Sequence, residues 1–313
     1  MFPIGSRSSI ANSIKGYNRK RCRKEAKVLV YKEKYFAIFA HNPFNIKRMN
    51  ADFDYLEINR KSWNSRVDVH LKSDFYDVKG FLKGESSLND IELDLLGDIK
   101  GKSILHLQCH FGQDTISLGR LGANVTGVDL SDKAIDNAKI LAKKANVNAT
   151  FICCDIYDLP TYLNEQFDIV FTSYGVIGWL PDMGKWAKII SNYLKPNGKF
   201  IFVEFHPILW VFDDDFKRIE YNYFNSGAIR EIQDGTYTDG ENDLLQECVM
   251  WNHSLSEVLN SLIQSGLTIS SFDEFDYSPY NCFSKTVECE PNKYRIKHLS
   301  NNIPMVYSII ATK

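Results

Sequence analysis

From Ile104 to Phe205 the chain alternates short apolar runs with segments of helical period, and few folds accommodate that rhythm. The runs are Ile104-Leu105-His106-Leu107, Val125-Thr126-Gly127-Val128, Phe151-Ile152-Cys153-Cys154, Phe167-Asp168-Ile169-Val170-Phe171 and Phe200 to Phe205. Each is short and mostly apolar, as a strand covered on both faces must be. Between the second and third, Ala134, Ile135, Ala138, Leu141, Ala142 and Ala145 share one face of a helix that Ser131 can cap. Between the fourth and fifth, Trp186, Ile189, Ile190, Tyr193 and Leu194 recur at helical spacing, and Pro196-Asn197-Gly198 closes that helix. Repeated β-α steps predict a doubly wound α/β fold, with a mostly parallel sheet, right-handed crossovers and helices on both faces.

The rhythm lapses on either side. Asn59 to Gly84 reads as helix and loop. Residues 207–252 hold Asn225-Ser226-Gly227, Asp234-Gly235 and Asp239-Gly240 between β-rich pieces, which predicts a small antiparallel flap after the fifth strand. Ser254-Leu255-Ser256-Glu257 is a capping box, and its helix turns Leu255, Val258, Leu259, Leu262 and Ile263 inward before Gly266. Leu267 to Phe272 and Val306 to Ala311 read as a sixth and a seventh strand, and Tyr277 to Asn302 as an irregular loop.

Charge divides the chain near Met49. Residues 1–48 hold twelve Lys and Arg against Glu25 and Glu33, a net of +10, whereas residues 49–313 sum to −12. Three readings of this basic leader compete: an extension upstream of a true start at Met49 with no stable fold, a targeting peptide, or a basic arm for nucleic acid. The acidic remainder argues against a polyanionic substrate held by charge, so nucleic acid is not expected as a partner. No run approaches the ~20 apolar residues of a membrane span. The seven cysteines show no CxxC pair, and reduced thiols in a cytoplasmic protein are expected. No metal-ligand spacing is found, and oligomeric state is not legible.

A strand turning tightly into a helix presents its carboxyl end and the first helical N–H groups to a ligand, and Ile104 to Thr115 is such an element. Asp129 ends the next strand, seventeen positions after Gly112, where a carboxylate can accept both hydroxyls of a ribose. Asp155-Ile156 ends the third, where a carboxylate and an apolar side chain suit an adenine. Each alone is weak, since an Asp at a strand end is commonly a cap; the joint spacing describes an adenosine clamp.

Ile104 to Gly112 resembles the Asp-x-Gly-x-Gly-x-Gly loop of class I S-adenosylmethionine-dependent methyltransferases. Gly127 to Ser131, Cys154 to Pro160, Phe167 to Tyr174 and Leu194 to Phe200 resemble, in order, the family's later motifs. The resemblance spans about Gly101 to His206 and implies S-adenosyl-L-methionine as cofactor and a small molecule as methyl acceptor. It places the cofactor on His106, Gln108, Cys109, His110, Phe111, Gly112, Asp114, Thr115, Asp129, Leu130, Ser131, Asp155, Ile156, Ser173 and Tyr174. Trp63, Tyr76 and Trp179 border the implied pocket and would enclose the acceptor and face the sulfonium.

Where that family has Asp, Gly and Gly, this loop has His106, Gln108 and His110. Positive φ is harder for these than for glycine, and the expectation is a variant path with their side chains near the cofactor's carboxylate. His106 is either part of that loop or a satisfied core histidine. In-line displacement draws mainly on alignment in a dry site, worth up to ~7–11 kcal/mol. If a base is used, Glu204 and His206 at the end of the fifth strand are the candidates. The alternative is that Glu204 orders backbone and His206 caps the turn before Pro207. Two rival functions stay open: an NAD-dependent oxidoreductase, disfavoured by the lack of GxGxxG, and a non-catalytic S-adenosylmethionine-binding protein.

Overall fold

The computed structural model describes residues 54–238 and 244–313. The basic leader 1–48, Cys22 and the Asp239-Gly240 turn lie outside the described residues. Three helices come first, α1 (Tyr55–His70), α2 (Val78–Lys83) and α3 (Asp90–Leu96). There follow β1 (Ser103–Leu107), α4 (Gln113–Arg120), β2 (Asn124–Asp129), α5 (Asp132–Lys144), β3 (Ala149–Cys153), β4 (Phe167–Ser173), α6 (Met183–Tyr193) and β5 (Leu194–Phe205). The remainder holds β6 (Ile229–Asp234), β7 (Leu245–Met250), α7 (Leu255–Gln264), β8 (Thr268–Phe275), β9 (Thr286–Glu290), β10 (Lys293–Ile296) and β11 (Val306–Thr312). Among the described residues no helix is long and apolar enough to cross a membrane.

Seven strands form one sheet in the order β3-β2-β1-β4-β5-β11-β8. β1 to β5 pair in parallel, and β11 runs antiparallel to both β5 and β8. Alternation along β1 shows why apolar runs were required. Leu105 and Leu107 enter a core with Trp186 and Ile190 of α6 and Val258 and Leu262 of α7. Ile104 enters another with Leu118 of α4, Val125 and Ile201. Each such side chain, fully withdrawn from water, contributes roughly 1.5–3 kcal/mol. Ser131 caps α5 by accepting the Ala134 N–H at 3.0 Å. Its apolar face, Ala134, Ile135, Ala138, Leu141 and Ala142, is buried as the periodicity requires.

Two expectations shift. The chain passes from α6 at Tyr193 directly into β5, and Pro196-Asn197-Gly198 lies within that strand as a register break between the Phe167–Leu194 and Ile169–Lys199 pairs. Residues 277–302 are not wholly irregular: they contain the β9–β10 hairpin, turned by Pro291 and by Asn292 at φ 57°. Val287 and Cys289 in β9 and Tyr294 and Ile296 in β10 alternate with polar residues, but strands of 5 and 4 residues are too short for that alternation to stand out.

The expected flap is the β6–β7 hairpin, paired from Ile229–Met250 to Asp234–Leu245. Several side chains of α1 fasten it, Ser65 among them, whose Oγ donates to Gln246 Oε1 at 3.0 Å. Asn59 donates to the Val249 carbonyl at 2.8 Å and accepts the Val249 N–H at 2.9 Å, filling both hydrogen-bonding groups of that residue.

Gly112, at φ 80°, turns β1 into α4. A Cβ there would stand 2.7 Å from Phe151 Cε1 and 2.9 Å from Ala138 Cβ, so the turn nests between β3 and α5. Gly112→Ala combines left-handed strain with overpacking and is expected to lower stability by about 3 kcal/mol, read as a reduced urea midpoint at unchanged slope.

Candidate functional site

The carboxyl ends of the parallel strands share one edge, because β1 pairs Leu107 with Val128 and β2 pairs Asp129 with Cys153. Asp129 organises that edge. Its Oδ2 accepts the His110 N–H at 2.7 Å and its Oδ1 the Ser131 N–H at 2.8 Å, so one carboxylate holds the loop after β1 to the start of α5. Each oxygen keeps a lone pair. Burial pushes Asp129 up to about 6, against the pull of these N–H bonds. One strand over, the Cys154 N–H donates to the Asp129 carbonyl at 3.0 Å, and Asp155 and Ile156 follow. Asp155 accepts the Tyr157 N–H at 3.3 Å, and burial raises it as well. The two carboxylates are thus neighbours on one edge of the sheet.

The expected variant path of the loop is corrected. Gln108 at φ 58°, His110 at φ 50° and Gly112 at φ 80° take left-handed conformations at alternate positions. For two non-glycine residues this costs about 1–2 kcal/mol each. Two bonds offset it: the His110 N–H to Asp129, and Gln108 Nε2 to the Val176 carbonyl at 2.8 Å. Gly127 leaves room for the loop, since a Cβ there would lie 2.9 Å from Cys109 Sγ. His106 takes the second of its two readings. Its Nδ1 shares a hydrogen bond with Thr115 Oγ1 at 2.8 Å, its ring packs 5.1 Å from that of Phe171, and burial pushes it down to about 3. Phe111 is buried in the core under α1, beside Val67, Phe81 and Ile135. Leu130 is half-buried and its carbonyl accepts the Cys153 thiol at 3.6 Å.

Over this edge lie aromatic residues from distant parts of the chain. Trp63 of α1 packs 5.2 Å from Trp179 and 5.2 Å from His110, ring to ring. Tyr76 hydrogen-bonds Tyr237 of the flap, hydroxyl to hydroxyl. His70 shares bonds with His110 at 2.9 Å and with Thr236 Oγ1 at 2.7 Å, and burial, then Arg66, holds its pKa at about 3. A second group surrounds Tyr174, whose hydroxyl donates to Glu92 at 3.0 Å. Asn89 donates to Glu92 at 3.2 Å and to the Tyr280 hydroxyl at 2.7 Å, while Ser173 donates to Asp114 at 3.3 Å. Burial first, and then Asp114, pushes Glu92 up to about 7. His70, Arg66, Glu92 and Tyr237 are not singled out by the sequence, because none sits in a motif or at a strand end.

Residues 105–202 match the family model described as a methyltransferase domain. In these residues the chain is similar to methyltransferase domains. A ubiquinone biosynthesis O-methyltransferase of Coxiella burnetii (strain Dugway 5J108-111) is 32% identical over 135 residues, 42% of this chain and 57% of that protein. An uncharacterized methyltransferase of Synechocystis sp. is 35% identical over 133 residues, 41% of this chain and 59% of that protein. The chain thus spans a little over half the length of these curated relatives. A solved structure from Listeria monocytogenes, described as an S-adenosylmethionine dependent methyltransferase, superposes with a TM-score of 0.52 at 21% identity over 71% of this chain and 95% of that one, which establishes the shared fold.

Just past the matched residues, at the end of β5, neither candidate base keeps a free acceptor. Glu204 gathers four backbone N–H groups: Gly175 and Phe205 on Oε1, Val176 and Ile177 on Oε2. All its lone pairs in the carboxylate plane are used, so it orders the segment after β4, where Tyr174 and Gly175 also take positive φ. His206 accepts the Ile208 N–H at 3.1 Å on Nδ1 and pairs with Glu274 at 2.9 Å through Nε2. The alternatives named for both residues are the ones the structure supports. Glu204→Gln presents an amide hydrogen to backbone donors and is expected to cost about 2–3 kcal/mol in denaturant unfolding; wild-type stability in that variant would show that the segment does not depend on the carboxylate.

Proposed function

We propose that the protein is a cytoplasmic S-adenosylmethionine-dependent methyltransferase acting on a small molecule. Asp129 carries this reading: its carboxylate is fixed by two N–H bonds, yet keeps one acceptor direction on each oxygen for a pair of vicinal hydroxyls. The residues present fit the cofactor in a second respect. Gln108 Oε1 and His110 Nδ1, in the loop that would hold its amino-acid end, are buried with no hydrogen-bond partner among the described residues. Asp155 and Ile156 would meet the adenine. S-adenosylmethionine would supply a methyl group lost from its sulfonium by in-line displacement. The chain's part is to align and to exclude water, which Trp63, Tyr76, Trp179 and Tyr237 do by covering the edge.

The acceptor class rests on the acidic charge of residues 49–313 and on this aromatic cover, both unsuited to a polyanion. The C. burnetii relative is an O-methyltransferase of a small-molecule pathway, which agrees with the reading. The matched family and relatives lend nothing to the nicotinamide alternative.

Titration calorimetry with S-adenosylhomocysteine and NAD tests the assignment: the first binds and the second does not, whereas the reverse would replace it with a dehydrogenase. Asp129→Asn is expected to weaken S-adenosylhomocysteine about 10- to 100-fold. Because Asp129 protonates near pH 6, wild-type affinity should fall as pH drops below that value, and the dependence should vanish in Asp129→Asn. For stability the sign is opposite. The folded chain holds this proton more tightly than the unfolded one, so Asp129 subtracts stability as pH rises from about 4 to about 6, with the full loss above.

A further inference from the structure

Arg66 is a buried cation that no described residue neutralises. It leaves α1 at 3% exposure, and its guanidinium lies 4.8 Å from the ring centre of Trp63 and 5.1 Å from that of Trp179. Its Nη2 donates to Gln233 Oε1 at 2.7 Å, and its Nε is buried with no partner. Among the described residues no carboxylate comes within ion-pairing distance of it. The groups whose charge bears on it are Tyr237, Cys248 and Tyr76, and it in turn bears on His70 and His110. Burial raises the three acids, and the two histidines are held neutral, so none of these described groups compensates Arg66. A wholly buried arginine is ordinarily paired, because an unpaired charge away from water is strongly disfavoured.

Its position gives the omission a meaning. Trp63 also packs on His110, whose N–H is held by Asp129, and Trp179 donates its indole N–H to the Gly175 carbonyl at 2.9 Å. The guanidinium therefore stands where the loop after β1, the segment after β4 and the flap come together. The two indoles lie on one side of the guanidinium, their ring centres 5.2 Å apart, and Nε is left without a partner on the N–H edge, the part of an arginine that matches a carboxylate with two parallel bonds.

We propose that Arg66 is the seat of a carboxylate belonging to a small molecule bound in the methyltransferase site. The inference rests on the proposed function and extends it to a ligand group. Two sources share this chemistry: the amino-acid end of the cofactor, and an acidic acceptor.

The full chain, Arg66→Met and Arg66→Lys are titrated with S-adenosylhomocysteine and with 5′-methylthioadenosine, which has the same nucleoside and thioether but no carboxylate. If the cofactor supplies the group, Arg66→Met weakens S-adenosylhomocysteine roughly 10- to 100-fold, Arg66→Lys less, and 5′-methylthioadenosine is unchanged. If the acceptor supplies it, both nucleosides bind as in wild type, while benzoate, and not methyl benzoate, contacts the wild-type protein in ligand-observed NMR and ceases to in Arg66→Met. Arg66→Met should also melt no lower than wild type, since removal of an uncompensated buried charge is neutral or stabilising; a structural arginine would give a lower melting temperature. Equal weakening of both nucleosides, no effect on any of the probes, or a marked loss of melting temperature overturns the proposal. Failure of wild type to bind either nucleoside would instead overturn the proposed function, and the benzoate comparison on the free protein would still decide the role of Arg66.

Discussion

One carboxylate fixes the geometry on which the candidate site depends. Asp129 ends a central strand, accepts an N–H from the preceding loop and another from the following helix start, and so sets where both begin. The loop it holds contains a glutamine and a histidine in backbone conformations that they do not favour alone. Such strain persists only where surrounding bonds over-determine the conformation, and here the bond to Asp129 is joined by one from Gln108 to the segment after β4. Three strand ends are thereby tied through two side chains.

Around that point the protein uses aromatic rings and hydroxyls where ion pairs might be looked for. Glu92 meets Tyr174 and Asn89, Arg66 meets two indoles and an amide, and His70 meets a second imidazole and a threonine. The result is a dry, half-neutral enclosure in which the few formal charges are weakly compensated. In such a medium an incoming charged group interacts more strongly than it would at the surface.

Periodicity made the parallel core legible. The apolar runs and the faces of α5 and α6 left little choice of architecture, and the positions of Asp129 and Asp155 followed from strand ends. The loop conformation was not legible, because propensity argued against positive φ at Gln108 and His110, and the bonds that override it come from residues 19 and 68 positions away. The place of Glu204 at the end of β5 left base and backbone-ordering roles both open, and three of the four donors that saturate it belong to a segment nearly thirty residues earlier. The β9–β10 hairpin was hidden by the shortness of its strands. Arg66 and Glu92 sit on helices whose sequence shows no motif, and only the fold brings them to the edge of the sheet.

The bonding of Asn59 bears on how the enclosure is put together. An amide side chain that takes the place of a neighbouring strand makes a helix from the beginning of the described chain and a hairpin 190 positions later into a single leaf. Trp63, Arg66 and His70 travel on the helix side of that leaf, Gln233, Thr236 and Tyr237 on the other. Ser131, Asp132 and Lys133 at the start of α5 bond Asn64, Arg60 and Asp68 of that same helix, so whatever displaces the hairpin is felt at the strand edge as well.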